Sequence, residues 1–303
     1  MPRLTIHTAT YNRAYILPKA YESLKAQTCK DFEWIITDDG STDGTEELVK
    51  SWLKEDNGFN LVYNKLDHVG VPRALNFGVR KATTEWFLML DSDDHLLPET
   101  VEKVLIWLEE ITDDDSFAGI GFARCFPNGE YMKPQIPIID ESKGYVDATH
   151  LERAKYNLDM DMCEVHRVSI MKKYPFPEIE NENFITEDIV WSRMAADGYK
   201  IRWTNEFIYV AEYLEDGLTM QGREKFRKNP IGYTMYAKQI TKLRNMSEKE
   251  TYNYYYYCYL DLKDTLGLVK TARLLEASAL KLWLKAANMK TRQLLHNLLK
   301  KNR

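Results

Sequence analysis

The stretch FLMLDSDDHLLP, residues 87–98, joins an apolar run to a cluster of acids. The apolar run is typical of a buried β-strand, and Asp91, Asp93 and Asp94 follow it directly. Such acids either cap the next helix and form a solvated turn, or hold a metal ion. Alternate residues in extended backbone point to opposite faces, but a turn at the strand end can direct both carboxylates toward one ligand. The stretch therefore indicates either a helix cap or a metal site.

The composition is that of a globular protein able to bury a substantial core. The 303 residues are 44% hydrophobic and 29% charged, which suits one large domain or a domain with an appended module. The cysteines are scattered without a CxxC pair, at Cys29, Cys125, Cys163 and Cys258. This argues against a structural zinc site or a disulfide framework and is typical of a reducing compartment. The sequence shows no signal-peptide pattern and no run of about 18 apolar residues, so we expect a cytoplasmic protein.

Strands and helices alternate along the first third of the chain. Apolar runs typical of strands occur at 4–9, 32–41, 60–65 and 85–90. Amphipathic stretches typical of helices follow them, at 14–27, 43–55, 73–82 and 98–111. The alternation predicts an α/β fold with a mostly parallel sheet and crossover helices. In such sheets ligands bind at the carboxyl ends of the strands, where TYNR, DDGS and DSDD lie.

The pattern changes after residue 112. A further strand is predicted at 117–126, a helix at 187–201 and a strand at 203–213. Residues 127–160 contain several Pro and Gly and are predicted to form an irregular loop or lid. From about residue 230 onward the chain reads as helical and rich in Tyr or Leu.

Two further acidic pairs allow both a structural and a functional interpretation. Asp38 and Asp39 end the second predicted strand, where they could cap the next helix or accept hydrogen bonds from a nucleobase or a ribose. Glu187 and Asp188 open a predicted helix, where the helix dipole alone favours carboxylates. In the functional interpretation, Asp188 is a general base that takes a proton from an acceptor hydroxyl.

Taken together, these segments resemble the inverting glycosyltransferases of family 2, which have the GT-A fold. The resemblance rests on five stretches in order: TATYNRAYILPKAYESLKAQT, FEWIITDDGSTDGT, GVPRALNFGV, FLMLDSDD and TEDIVWSRMAADGY. It covers roughly residues 3–215. It implies a GT-A domain over 1–225, with a nucleotide-binding half at 1–112 and an acceptor and catalytic half at 113–225, followed by a helical region at 226–303.

The resemblance also assigns roles to individual residues. It implies that the nucleotide is bound by Thr8, Thr10, Tyr11, Arg13, Asp39, Arg73 and Asp91. Within that set, Tyr11 would stack on the base and Asp39 would hydrogen-bond it. Asp93, with Asp91, would hold Mg²⁺ or Mn²⁺ at the diphosphate, and Asp188 matches the position of the catalytic base. Asp94 is expected to hold the turn.

The chain departs from the family pattern at several positions. Ala9 stands where many relatives carry Pro, and Leu75 stands where others carry a phosphate-binding Arg, so Arg73 is the nearest substitute. Some relatives offer a late His to the metal, but the matching loop here reads YLEDGLTMQG. Glu215, Asp216 or neither would supply that third ligand. Three isolated histidines are expected to be structural or solvated: His68, His95 and His166.

Acceptor and partner recognition is expected outside the acidic motifs. The variable segment 125–165 and the loop after residue 213 are the acceptor-binding candidates, although an ordinary surface loop would look similar. Residues 263–303 contain ten Lys or Arg against two acids, a net charge of +8. Because the whole chain carries −5, the remainder carries −13. The stretch 271–303 is predicted to pack on its own domain or on a twin subunit in a homo-oligomer, or to lie on anionic lipid at the inner face of the membrane. No nucleic-acid-binding module accompanies it, so we expect no nucleic-acid partner.

The expected reaction is the metal-assisted, inverting transfer of a sugar from a nucleotide-sugar, a UDP-sugar by expectation, to a glycan or lipid-linked acceptor. The class would be a hexosyl- or N-acetylhexosaminyltransferase. Two alternatives stay open at this point. One is a sugar-phosphate nucleotidyltransferase on a similar sheet, although HTATYNRAY lacks the Gly-rich loop and following Lys of those enzymes. The other is a catalytically silent sugar-binding scaffold.

Overall fold

The computed structural model describes residues 2–132, 136–159 and 161–289. Contacts between residues divide the chain into two compact units. The first, here called the sheet unit, comprises Met1–Glu178 and Val190–Gly217. The second, the helical unit, comprises Ile179–Ile189 and Leu218–Arg303. The domain boundary at residue 225 remains a prediction.

The sheet unit is organised around one mixed β-sheet. Over the described residues its strands are β1 Leu4–Thr10, β2 Phe32–Asp38, β3 Asn60–Lys65, β4 Trp86–Met89, β5 His95–Leu96, β6 Phe117–Cys125, β7 Tyr145–Thr149, β8 Met162–Arg167 and β9 Lys200–Val210. Their order is β3-β2-β1-β4-β8-β6-β9-β5, and β7 also pairs with β9. The first four strands are mutually parallel. Strand β8 runs antiparallel to both of its neighbours, β4 and β6.

Helices connect the parallel strands. The helices of this part are α1 Leu17–Lys25, α2 Thr45–Trp52, α3 Val71–Lys81, α4 Thr100–Glu109, a 3-10 helix His150–Tyr156, α5 Val168–Lys173 and α6 Asp188–Ala196. The boundary between the two units passes through α6, between Ile189 and Val190. Strands β1, β2 and β4 are buried along almost their whole length, as expected for a sheet covered on both faces.

Helix α3 approaches the sheet closely at Gly78. A Cβ at this position would lie 2.2 Å from Nε2 of His7, so only glycine leaves room for the imidazole. His7 is buried on β1, and its Nε2 lies 2.9 Å from the Thr37 hydroxyl. Burial lowers the pKa of His7 to about 3, because an apolar interior disfavours the charged imidazole.

The helical unit contains α7 Glu224–Lys228, α8 Pro230–Leu243, α9 Glu248–Leu262 and α10 Gly267–Leu274, and residues 279–289 are also helical. A tyrosine-rich core joins these helices, with Tyr255, Tyr256 and Cys258 of α9 buried against Ala272 and Leu282. Within the described residues, no helix combines the length and the apolarity that crossing a membrane requires.

The predicted α/β class with a helical C-terminal region is confirmed. The prediction for 127–160 is partly wrong, because β7 and the 3-10 helix lie in this segment. Strand β7 adds to the sheet beside β9, and Asp147 on β7 binds Arg202 on β9 through two hydrogen bonds of 2.9 and 3.0 Å. Strand β8 was not predicted, because MCEVHR mixes apolar, charged and imidazole side chains that the structure buries together.

Candidate active site

Three of the predicted motifs meet at one edge of the sheet. Strand β1 lies between β2 and β4 and is parallel to both, so all three carboxyl ends face the same edge. Thr10 pairs with Asp38 at the ends of β1 and β2. The Asp39 N–H donates to the Thr10 carbonyl at 2.8 Å, which continues the ladder into the DDGS turn. The fold therefore brings TYNR, DDGS and DSDD together, as expected for the ligand-binding edge of an α/β sheet.

An aromatic pair lies beside the DDGS turn. The Tyr11 ring is 43% exposed and stacks on His68, with the ring centroids 4.3 Å apart. Nδ1 of His68 lies 3.0 Å from the Asp39 carbonyl oxygen and 3.3 Å from Oδ2 of Asp39. The loop after β3 returns His68 to the turn after β2, so its imidazole has protein partners beside the site.

Asp39 holds the loop that leads into α3. Its carboxylate accepts hydrogen bonds from the N–H groups of Val69 at 2.6 Å and Gly70 at 2.9 Å, and the residue is buried. A carboxylate has about four lone-pair sites, so these two bonds leave acceptor capacity for a ligand. Asp38 has a structural role, since it accepts from the Ser41 N–H at 2.8 Å and from the Tyr63 hydroxyl at 2.6 Å. The two adjacent acids are therefore not equivalent.

The two candidate threonines of β1, Thr8 and Thr10, also differ in their surroundings. Thr8 is fully buried, and its hydroxyl accepts from the Trp34 indole at 3.0 Å, so this side chain does not reach the surface of the site. The assignment of Thr8 to the nucleotide site stays a prediction. Thr10, at the strand end, is buried with a hydroxyl oxygen that has no hydrogen-bond partner among the described residues.

Two predicted arginines contact loops at this edge. Nη1 of Arg73 donates to the Val69 carbonyl at 2.8 Å, next to the backbone that binds Asp39. Leu75 is buried. Arg13 donates to the Tyr15 hydroxyl at 2.7 Å and pairs with the Asp216 carboxylate. Since the Tyr15 hydroxyl also donates to Asp216 at 2.8 Å, this candidate third ligand is engaged by an arginine and a tyrosine.

Asp91 contacts two residues that no sequence motif marks, Tyr209 and Arg124. Its N–H donates to the Tyr209 hydroxyl at 2.9 Å, and that hydroxyl lies 3.2 Å from Oδ2 of Asp91. Nη1 of Arg124 lies 3.4 Å from the same Oδ2, and its guanidinium stacks over the Tyr209 ring at 4.2 Å. The sequence marks Arg124 only as a charged residue inside the otherwise apolar strand FAGIGFARC.

Asp93 and Asp94 are crowded carboxylates. Burial, and then the negative charge of Asp91, raise the pKa of Asp93 above its usual range. The same two causes raise the pKa of Asp94 to about 7. Oδ1 of Asp94 accepts from the Glu212 N–H at 2.9 Å, which ties the turn to the segment after β9, so Asp94 holds the turn as predicted.

The acidic turn fits a divalent cation shared with a ligand. Carboxylates crowded together favour a neutralising cation. Mg²⁺ and Mn²⁺ take hard oxygen ligands, commonly one or two carboxylates plus phosphate oxygens. Within the part of the chain that the structure describes, no group of three or more His, Cys, Asp or Glu side chains is placed to hold a metal ion. Asp93 and Asp91 would thus supply only part of a coordination shell.

Asp188, the predicted base, belongs to the helical unit. It is the first residue of α6, where a carboxylate is favoured by the helix dipole. The Tyr236 hydroxyl of α8 lies 3.4 Å from its Oδ2. Tyr236 was not predicted, because 48 residues separate it from Asp188 and no motif marks it.

Comparison with known proteins identifies the family of this chain. The model of glycosyl transferase family 2 matches residues 5–174, more than half of the chain. The GalNAc(5)-diNAcBac-PP-undecaprenol beta-1,3-glucosyltransferase of Campylobacter jejuni is 36% identical over 128 residues, covering 42% of this chain and 38% of that protein. A PGL/p-HBAD biosynthesis glycosyltransferase of Mycobacterium tuberculosis is 34% identical over 119 residues, covering 39% of this chain and 46% of that protein. The matches thus span less than half the length of these curated relatives.

Solved structures share the fold. S. aureus TarS 1-349 in complex with UDP-GlcNAc superimposes with a TM-score of 0.60 at 18% identity, covering 87% of this chain and 73% of that chain. The mannosyltransferase PcManGT of Pyrobaculum calidifontis, in complex with GDP-Man and Mn²⁺, superimposes with a TM-score of 0.56 at 18% identity. The match covers 94% of this chain and 75% of that chain. The family match favours sugar transfer over both alternatives that the sequence left open. The chain belongs to glycosyl transferase family 2 and has the GT-A fold.

Proposed function

We propose that this enzyme transfers a sugar from a UDP-sugar to a hydroxyl of a glycan or lipid-linked saccharide, with inversion at the anomeric carbon. The observation that carries the proposal is the meeting of Tyr11, Asp39 and the Asp91–Asp93 turn at one sheet edge. Two comparisons support it. TarS, which shares the fold, is described in complex with UDP and with UDP-GlcNAc. The C. jejuni relative is named for an undecaprenol-linked glycan.

The proposed nucleotide site uses the exposed and unsatisfied groups of this edge. The Tyr11 ring offers an open face on which a base stacks. Asp39 is proposed to accept the imide N–H of uracil with the acceptor capacity that the loop leaves. The Thr10 hydroxyl supplies a further polar group, and Arg13 and Arg73 supply positive charge for the phosphates.

Asp93, with Asp91, is proposed to hold Mg²⁺ or Mn²⁺. When bound, such an ion would neutralise negative charge on the departing nucleoside diphosphate. Support comes from the crowding of these carboxylates and from the Mn²⁺ in the PcManGT complex. Arg124, close to Asp91, adds a fixed positive charge beside the turn.

The proposed chemistry is a single displacement. Asp188, as general base, takes the proton from the acceptor hydroxyl while that oxygen attacks the anomeric carbon. The bond from the anomeric carbon to the phosphate oxygen breaks, and the nucleoside diphosphate leaves with the electron pair. One displacement inverts the anomeric configuration. The assignment of Asp188 is supported by the TEDIVW motif, in which Asp188 matches the family's position for the base.

A lipid-linked acceptor would place the enzyme at the inner face of the membrane. Leu280, Trp283 and Leu284 lie at helical spacing within 279–289, and their side chains are 65%, 55% and 52% exposed. We propose that this face rests on anionic lipid, helped by the positive charge of 263–303, of which 290–303 lie outside the described residues. Trp283→Glu should lower binding to phosphatidylglycerol vesicles. Unchanged binding would contradict the contact, and a change in oligomeric state on light scattering would assign the face to a second copy instead.

A donor panel tests the proposed reaction. UDP-glucose, UDP-GlcNAc, UDP-galactose and GDP-mannose are each incubated with enzyme and Mn²⁺, and nucleoside diphosphate release is measured. We expect release from at least one UDP-sugar and an inverted anomer of the released sugar by NMR. Release from GDP-mannose alone would contradict the UDP donor, and a retained anomer would contradict the single displacement.

A further inference from the structure

We infer that helix α8 holds the segment that carries the proposed base and that the Tyr236 hydroxyl positions the Asp188 carboxylate. This inference rests on the proposed role of Asp188. All the contacts that support it lie within the helical unit, between residues 182–189 and one stripe of α8.

The first contact is at the start of α8. The Glu182 carboxylate, which is buried, accepts from the N–H groups of Ile231 at 2.6 Å and Gly232 at 2.8 Å. These N–H groups belong to the first turn of the helix, where no intrahelical acceptor exists. The helix dipole also favours a carboxylate there. Glu182 therefore fastens the beginning of the segment to the N-terminus of α8.

The second contact comes from the residue before the helix. Oδ1 of Asn229, a buried side chain, accepts from the N–H groups of Asn183 at 2.8 Å and Phe184 at 3.0 Å. Its amide nitrogen donates to the Lys225 carbonyl at 2.7 Å, so the side chain cannot rotate without losing three bonds. The backbone of the segment is thus fixed by a side chain of the helical unit.

The last two contacts are at the base itself. The Tyr236 hydroxyl lies 3.4 Å from Oδ2 of Asp188, and Nε2 of Gln239 donates to the Ile189 carbonyl at 2.8 Å. Asn229, which precedes the helix, and Gly232, Tyr236 and Gln239 of α8 follow one another at the spacing of one helical stripe. The segment is therefore fastened at four points over eight residues.

The Tyr236 hydroxyl acts as the hydrogen-bond donor to Asp188. Burial, and then the negative charge of Asp188, raise the pKa of Tyr236 above its usual value, so its phenol stays protonated at neutral pH. The other titratable or charged groups that act on it are Tyr254 of α9 and Arg244 at the end of α8. A hydrogen bond donated to Oδ2 restricts rotation of the carboxylate, which keeps a base in one orientation.

The test compares two tyrosines of the same helix. Tyr233 lies one turn before Tyr236, and its hydroxyl donates to Asp261 at 2.8 Å, so Tyr233→Phe is a matched control. With the UDP-sugar that gives the fastest UDP release, Tyr236→Phe should lower kcat about tenfold and leave KM for the donor unchanged. Tyr233→Phe should change neither.

The outcomes separate this inference from the proposed function. If Asp188→Asn abolishes transfer while Tyr236→Phe behaves like Tyr233→Phe, the positioning role is wrong and the proposed base stands. If Asp188→Asn transfers normally, the proposed base is wrong and this inference fails with it.

A second measurement does not depend on activity. Denaturation midpoints of wild type, Tyr236→Phe, Asp188→Ala and the double variant form a cycle that isolates the contact. We expect Tyr236→Phe to lower the midpoint less in the Asp188→Ala background than in wild type. Equal shifts in both backgrounds would show that the two side chains do not interact and would overturn the inference.

Discussion

The DSDD turn and the segment around Asp188 place their acids by different physical means. The turn follows a buried strand, and the parallel register of β1, β2 and β4 aligns it with the other motifs. The Asp188 segment has no strand to align it, and hydrogen bonds with a helix more than 40 residues later hold it instead. The first arrangement is a property of the fold, whereas the second depends on particular side chains. Substitutions at the two places should therefore have different effects on the transfer rate and on UDP binding.

The largest expected effect is at the base. Asp188→Asn should lower the transfer rate by about a thousandfold or more, because a general base contributes on the order of 10²–10⁴ and the amide cannot accept the proton. Binding of UDP, measured by calorimetry, should stay within about twofold of wild type. Weakened UDP binding would mean that Asp188 contributes to the donor site, which would remove the contrast with the turn.

The turn should show the opposite pattern. Asp93→Ala should lower Mn²⁺-dependent UDP release by about a hundredfold and also weaken UDP binding in the presence of Mn²⁺, because the ion links the turn to the diphosphate. The exposed acid Asp115, in the same unit, gives the control variant Asp115→Ala. Equal release by Asp93→Ala and Asp115→Ala would contradict the metal assignment.

The sheet edge also depends on the close approach of α3. Gly78→Ala should destabilise the protein by about 3 kcal/mol, because the new methyl group overlaps the His7 ring and forces the helix away. Gly129→Ala should cost only about 1 kcal/mol, since its φ of 80° is strained for alanine but its surroundings are open. Chemical denaturation measures both. Similar losses of stability in the two variants would show that α3 moves to accommodate the new methyl group at little cost.

The smallest effect concerns pH. Because His7 has a pKa of about 3 in the folded state, below the ordinary value of 6.5, the unfolded chain binds a proton there first. The stability from neutral His7 is therefore present above pH 6.5 and is lost as the pH falls toward 3. Between pH 7 and pH 5 the loss should be about 2 kcal/mol. His7→Gln should reduce the pH dependence by that amount, and an unchanged dependence would contradict the burial of a neutral imidazole.

The difference between the two regions also explains what the sequence could predict. Strand periodicity and the acids after it locate Asp39, Asp91 and Asp93 at one edge, because parallel strands leave little freedom in where their ends meet. Arg124 and Tyr209 escape prediction, since their contact with Asp91 depends on the register of β6 against β9. Likewise, nothing in the tyrosine-rich helices distinguishes Tyr236 from Tyr233 until their acidic partners are seen. Local pattern predicts elements and their ends, whereas long-range side-chain pairs require the packed structure.

The division of the chain through α6 has a consequence for protein engineering. The family match ends at residue 174, just before Ile179–Ile189, the segment that groups with the C-terminal helices. A chimera that exchanges only the residues after 217 would leave that segment with foreign partners for Glu182, Asn183 and Ile189. The transplantable module is therefore discontinuous in sequence, and a graft should carry 179–189 together with 218–289.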